Sequence, residues 1–509
     1  MKTIWSITAL VALASEALGQ HVLEFNLNRG LPGVLVGLGV PHHIARRETH
    51  TGSLANNITG GAYFIDAVIG TPGQHVSMVL DTGSSDAWVV AAKADLCRSP
   101  QLQQHYQQTC YGTYNPAQSS SYKLLSQNTF DILYLDGGGA AGDFITDDFT
   151  IAGTTIESLQ VGYAKQTSRG TGILGIGFNS SVSSKQPYPN IIDQLQTQGK
   201  IATKAYSLYL NDRRTDTGSI LFGGIDKGKF IGPLSVIPIL KETSTAIPRS
   251  FEVEFNSMTL DSSNGTVDVS VPKSNKPFPA VLDSGSTLSY IPDEMAKKIF
   301  AELGAFTDKV ATQLTLVDCD YLASEPNLTL SFTFGDGAAK IAVPVWEMVL
   351  DLLAGYEALI PKEVPFKRAC VLGLQSTAGF EEDRVANIDF ALLGETFLRS
   401  AYVVYDLTHH QIGMAQANLN STDVDIVEFK VEDTSIPTVT GVAAQQTTNP
   451  PRGTGTERDG PATHTVTVTA SPNAGPGAAA MLPGGGRDAI AVLIITSMFT
   501  LVGGALMVF

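Results

Sequence analysis

Apolar and polar positions alternate in short runs along most of the chain. Tyr63 to Ile69, Ser77 to Leu80, Ser207 to Leu210, Ile220 to Phe222 and Leu328 to Phe334 each read as a strand. Turns rich in Gly, Asn, Asp and Pro separate them. Pro292 to Leu303 has helical spacing instead and predicts an amphipathic helix. The pattern therefore predicts a mainly β body, placed at residues 48–420.

Within that body one pattern occurs twice. Val79-Leu80-Asp81-Thr82-Gly83-Ser84-Ser85 returns as Val281-Leu282-Asp283-Ser284-Gly285-Ser286-Thr287. Each copy is followed later by two apolar residues and a Gly: Ile173-Leu174-Gly175 after the first, Leu392-Leu393-Gly394 after the second. A duplicated lobe built around an Asp loop is the economical reading, with lobes at 48–235 and 236–420. An apolar strand running into Asp-(Thr/Ser)-Gly-Ser puts a carboxylate on a tight turn. The Gly allows close backbone approach, and Ser84 or Ser286 can hydrogen-bond the acid. Two such loops facing each other would share one proton between two carboxyl groups, giving an acid and a base in one site. Such a pair can activate water and hydrolyse an amide without a covalent intermediate.

Composition narrows the partners. With 49 acidic against 33 basic residues the formal charge is −16, and no Lys/Arg-rich run stands out, which argues against nucleic acid. Apolar residues at 43% and charged residues at 16% give enough core for a folded body. The histidines, including the pairs His42-His43 and His409-His410, lack zinc-ligand spacing with cysteine, and neither metal nor cofactor is expected. Gly137 to Gly142 matches GxGxxG formally, but it precedes a strand-like run, Asp143 to Ile151, so a dinucleotide site is rejected.

Both ends read as address labels. Residues 1–19 carry Lys2, an apolar run from Ile4 to Ala14 and the small-x-small sequence Ala17-Leu18-Gly19, a secretory signal. Residues 20–47 end in Ala45-Arg46-Arg47 and are expected to be a propeptide cut at the dibasic pair. Residues 421–475 are expected to form an O-glycosylated stalk, since Thr434 to Gly475 is rich in Thr and Pro and has neither aromatic residues nor Leu. Residues 476–509 comprise a spacer and the uncharged tail Ala489 to Phe509, a glycolipid (GPI) anchor signal with attachment expected at Asn473 and Ser471 or Gly475 as neighbouring choices. Sequons occur at Asn57, Asn179, Asn264, Asn327 and Asn420. The four cysteines, Cys97, Cys110, Cys319 and Cys370, allow three pairings; the close pair and the distant pair are the natural choice in a secreted chain.

The segments DTGSSDAWV at 81–89 and DSGSTLSYIP at 283–292, with the two downstream Gly motifs, resemble a pepsin-type aspartic protease. The sequence resembles in particular the fungal GPI-anchored, yapsin-like branch. The resemblance covers about residues 60–417 and implies a bilobal, β-rich fold with the cleft between two related lobes. It implies Asp81 and Asp283 as the catalytic dyad, and Thr82 and Ser284 as hydroxyls that lock the loops together, beside Gly83, Ser84, Gly285 and Ser286. Trp88 and Tyr134 match a tryptophan–tyrosine pair behind a flap hairpin over 132–138, with Asp136 and Gly137 as polar contacts at its tip. Leu135 departs from the pattern, standing where the family usually has Gly. Cys97–Cys110 and Cys319–Cys370 match the family bridges, and Glu395 matches a structural acid outside the site. The expected protein is a monomeric zymogen, anchored at the cell surface, in contact with wall glycans and acting on polypeptides. The branch implies a preference for basic residues. A non-catalytic or structural wall glycoprotein on the same fold would explain stalk and anchor, but not the duplicated Asp loops.

Overall fold

Burial follows the alternation. In Gln74–Asp81 the side chains of Val76, Met78 and Leu80 point into the core, while His75 faces solvent. Tyr63–Ile69 is covered on both faces, with Asp66 its exposed position. The computed structural model describes residues 22–29, 62–106, 108–215, 217–241, 247–272, 276–309, 314–323, 328–354, 360, 362–378 and 390–445. Among them one 13-stranded sheet runs from the strand Phe230–Pro238 to the hairpin strand Lys123–Leu133, and an eight-stranded sheet forms most of the second lobe. The fold is mainly β and bilobal, as expected. The expected helix spans Asp293–Glu302, flanked by Pro292 and Leu303, and buries Met295, Ala296, Ile299 and Phe300 along one face.

The duplication is visible in the strand pairing. Val79, Leu80 and Asp81 pair in parallel with Ile173, Leu174 and Gly175. Ala280, Val281 and Leu282 pair in parallel with Ala391, Leu392 and Leu393. In both lobes the return strand then runs antiparallel to the Gly-motif strand, through Trp88↔Ile173 in one and Tyr290↔Leu392 in the other.

Two boundaries differ from expectation. The lobe boundary at 235/236 falls inside the strand Phe230–Pro238, which pairs with Gln411–Ala417 in the shared sheet, so the division cannot lie there. The expected stalk begins too early. Residues 421–445 pack on the body: Ile426–Glu428 pairs with Gly224–Asp226, and Phe429 and Ile436 are buried at 0% and 2% exposure. Phe429 precedes the Thr/Pro-rich stretch and Ile436 lies within it, and backbone bonds between Gly232 and both Gly441 and Val442 carry the attachment further. Finally, Leu23–Arg29, in the expected propeptide, is a strand between Thr217–Phe222 and Tyr63–Ile69, with Phe25 and Leu27 buried. The signal segment, Asn57, Asn327, Asn473, the rest of the propeptide and stalk, and the anchor tail lie outside the described residues.

Candidate active site

Each Asp loop is held by its own lobe. Asp81 accepts from the Gly83 N–H at 2.8 Å and from the Ser84 hydroxyl. Asp283 accepts from the Gly285 N–H at 2.8 Å and from the Ser286 hydroxyl at 2.5 Å. The loops then lock to each other reciprocally. Thr82 Oγ1 donates to the Leu282 carbonyl at 2.8 Å and accepts from the Ser284 N–H at 2.9 Å. Ser284 Oγ donates to the Leu80 carbonyl at 2.9 Å and accepts from the Thr82 N–H at 3.1 Å. Four buried bonds therefore fix the register of two strands from different lobes.

The lock brings the two carboxyl groups together at full burial. A Cβ on Gly83 would stand 2.5 Å from Asp283 Oδ1, so only Gly leaves room for that approach. Burial pushes both carboxyls above their usual range. For Asp81 the neighbouring Asp283 charge adds to the rise. For Asp283 the Ser286 hydroxyl, the Gly285 N–H and a hydrogen bond from Asp81 oppose it. The pair thus shares one proton between its two carboxyl groups.

The flap is the hairpin of Lys123–Leu133 and Gly139–Ile151. Its turn closes through Tyr134 N–H to the Gly138 carbonyl at 2.8 Å and Gly137 N–H to the Tyr134 carbonyl at 2.9 Å, with Gly137 at φ +78°. The Trp88 indole N–H donates to the Tyr134 hydroxyl at 2.7 Å, both residues being buried. Asp136 is not the open tip contact that was expected. Its Oδ2 pairs with Arg169 Nη2 at 2.6 Å, its Oδ1 accepts from the Gly138 N–H at 2.8 Å, and its side chain is 4% exposed. Gly137 does lie exposed at the tip. Leu135 reaches across to pack on an apolar cluster of the second lobe that contains Leu288, Tyr290 and Leu353.

Sequence reasoning missed Arg169, an isolated basic residue in a turn with no motif to flag it. It also missed Asp86, which accepts from the Tyr188 hydroxyl at 2.5 Å and the Ser183 N–H at 2.7 Å, and which burial pushes up to about 6. Tyr188 continues a row of rings, Phe144, Phe130 and Trp88, beneath the flap. Glu395 is buried at the start of a short helix, and its backbone N–H donates to the Ser286 carbonyl of the second Asp loop at 2.8 Å. The cysteines pair as Cys97–Cys110 and Cys319–Cys370, with Cα–Cα distances of 5.2 and 5.0 Å. Of the described sequons, Asn264 sits on an exposed turn and Asn420 on the surface. Asn179 is half-buried, and its amide nitrogen donates to Asp193 at 2.8 Å.

The model of the family "Eukaryotic aspartyl protease" matches residues 62–417. The chain belongs to this family. It is an aspartic-type endopeptidase. Its relatives include a probable aspartic-type endopeptidase OPSB of Arthroderma benhamiae, 34% identical over 86% of this chain and 87% of that protein. The opsB protein of Aspergillus oryzae is 36% identical over 84% and 82% respectively, and candidapepsin-2 of Candida parapsilosis is 36% identical over 67% and 73%. In fold the chain resembles the aspartic proteinase from Irpex lacteus, with a TM-score of 0.54 and 22% identity over 72% of this chain and 97% of that one.

Proposed function

We propose that this endopeptidase is secreted, tethered to the cell surface by a glycolipid, and cleaves polypeptides with the Asp81/Asp283 pair. The buried, reciprocally locked pair carries the reading. Ionised Asp283 takes a proton from a water lying between the carboxyls, and the water oxygen attacks the scissile carbonyl. Asp81 gives its proton to the carbonyl oxygen, forming a gem-diol. Collapse of that intermediate breaks the C–N bond: the departing nitrogen takes the proton held by Asp283, and a gem-diol hydroxyl returns its proton to Asp81 as the new carboxyl group forms. The Tyr134 flap covers the site from the first lobe.

Secretion is supported by the signal-like start and the two disulfides, and the tether by the small-residue, spacer and apolar-tail sequence. A preference for basic residues rests on the resemblance to the yapsin-like branch, with which the charge of −16 agrees. Asp136 does not add to it, being paired with Arg169. The test uses the full chain and a peptide library between pH 3 and 7. Asp81→Asn and Asp283→Asn are each expected to lose about 10²–10⁴-fold in kcat, and a pepstatin-type inhibitor to block the parent. Wild-type turnover in either variant overturns the dyad. Retention on membranes after phosphatidylinositol-specific phospholipase, with a transmembrane tail detected by mass, overturns the tether.

A further inference from the structure

Three consecutive flap residues are each held by a different part of the molecule. Tyr134 is tied to Trp88 behind the flap, Leu135 rests on the second lobe, and Asp136 is paired with Arg169 beside it. Arg169 is the point where these constraints meet. Its guanidinium carbon lies 4.9 Å from the centroid of the Tyr134 ring while Nη2 bonds Asp136, so one side chain contacts the tip residues on both sides of Leu135. Its side chain is 15% exposed, which removes most of the competition from water.

The turn that carries Arg169 is itself braced. The Ser168 N–H donates to the Gly139 carbonyl at 3.0 Å, and the Gly139 N–H donates to Ser168 Oγ at 2.9 Å, which joins the turn to the base of the flap. The Thr167 N–H donates to Asp95 at 3.1 Å and the Gly170 N–H to Gln108 at 3.1 Å, which joins it to the Cys97–Cys110 loop. Immediately after it, Gly172–Gly175 pairs with the strand that delivers Asp81. The position of the flap tip is thus referred, through one turn, to the same strand pair that positions the first carboxyl group.

We propose that Arg169 is a flap-positioning residue. Through Asp136 and Tyr134 it holds the tip in the closed register that seats Leu135 against the opposite lobe. This rests on the aspartic-dyad reading, with Arg169 acting through the flap rather than on the reacting atoms. An uncharged side chain at 169 frees the Asp136 carboxylate. The Gly138 N–H, which Asp136 holds, then opens more often, and substrate binding loses a preformed cover.

The test compares Arg169→Gln, Arg169→Lys, Asp136→Asn and the double variant Asp136→Asn/Arg169→Gln in the full chain. Kinetics on a quenched peptide are normalised by active-site titration, and hydrogen exchange is read on flap peptides. Arg169→Gln and Asp136→Asn are expected to raise KM by about tenfold, with a smaller fall in kcat. Exchange over 134–139 is expected to speed up by about tenfold or more. Arg169→Lys keeps the charge but not the planar fork, and should recover part of the loss. The double variant should be no worse than either single one, since the neutral pair leaves no buried charge alone. Unchanged KM and unchanged flap exchange in folded Arg169→Gln overturn the proposal. If that variant does not fold, Asp136→Asn is judged by the same two readings. A fall in thermal midpoint with wild-type constants per active site also overturns it, since it shows a purely structural role. Turnover retained in Asp81→Asn would instead sink the dyad reading while leaving the flap exchange result standing.

Discussion

Replacing Asp86 by Asn is expected to stabilise the protein at neutral pH and to leave it nearly unchanged in acid. The carboxyl is completely buried, and its two oxygens accept from the Tyr188 hydroxyl and the Ser183 N–H. Burial outweighs those donors and raises it from 3.8 to about 6. A group raised on folding contributes stability that is fully present below its unfolded value and is lost as pH rises through its folded one. For Asp86 the loss therefore begins near pH 4 and is complete somewhat above pH 6. A gap of about two pH units corresponds to about 3 kcal/mol. Asn copies the protonated acid: its oxygen can accept from Ser183 and its nitrogen can donate to the Tyr188 oxygen. The assay is the urea midpoint of parent and Asp86→Asn from pH 3 to 7.5. The buried dyad titrates in both proteins with the same sign, so it cancels in the difference. The two midpoints should coincide near pH 3 and separate in favour of Asn by about 1 M at pH 7, taking about 3 kcal/mol per molar for a protein of this size. Two curves offset by a constant across the whole range would refute the reasoning, because they would mean that Asp86 does not titrate in the fold.

Two further changes probe the frame around the site. Thr82→Val keeps the shape but leaves the Leu282 carbonyl and the Ser284 N–H without their partner. It is expected to cost about 2–5 kcal/mol in denaturant titration, with a drop in kcat as the two carboxyl groups lose their register. Phe429→Ala empties a fully buried position in the segment expected from composition to be stalk. It should cost about 3–5 kcal/mol, whereas an extended tether would give a change near zero in the same titration.

The legible part of the fold was the part set by local pattern. Tyr63–Ile69 alternates or runs apolar between turns, and the helix at Asp293–Glu302 is bounded by its own Pro and acidic first turn. The Asp loops were legible because the same short pattern occurs twice, and a carboxyl on a Gly-containing turn has few uses other than chemistry. What the pattern could not show was pairing across long separations. Arg169 meets Asp136 only because the turn after Thr154–Thr167 folds beside the flap. The strand at Leu23–Arg29 gains its place from Thr217–Phe222, nearly 200 residues away. The Thr/Pro-rich composition begins only at Thr434, and residues 421–433, which carry Val424, Ile426, Val427, Phe429 and Val431, dock on Gly224–Asp226, with backbone bonds from Gly232 holding Gly441 and Val442. Counts over a window average such anchors away.

A two-lobed site built from a duplicated loop has two nearly equivalent halves and one flap. Two equivalent carboxyl groups in equivalent surroundings would share a proton evenly, and neither would be committed as acid or base. Here the loops are nearly equivalent: each Asp accepts from a Gly N–H and a Ser hydroxyl, and each loop gives the other one hydroxyl. The flap comes from the first lobe alone. It carries Tyr134 to within electrostatic reach of Asp81, and Arg169 lies beside it within the same reach. The Arg169 cation there favours charge on Asp81. An unequal cover therefore sits on a nearly symmetric base. A residue that sets the position of that cover acts on substrate binding. This is how Arg169, which touches neither carboxyl group, bears on turnover.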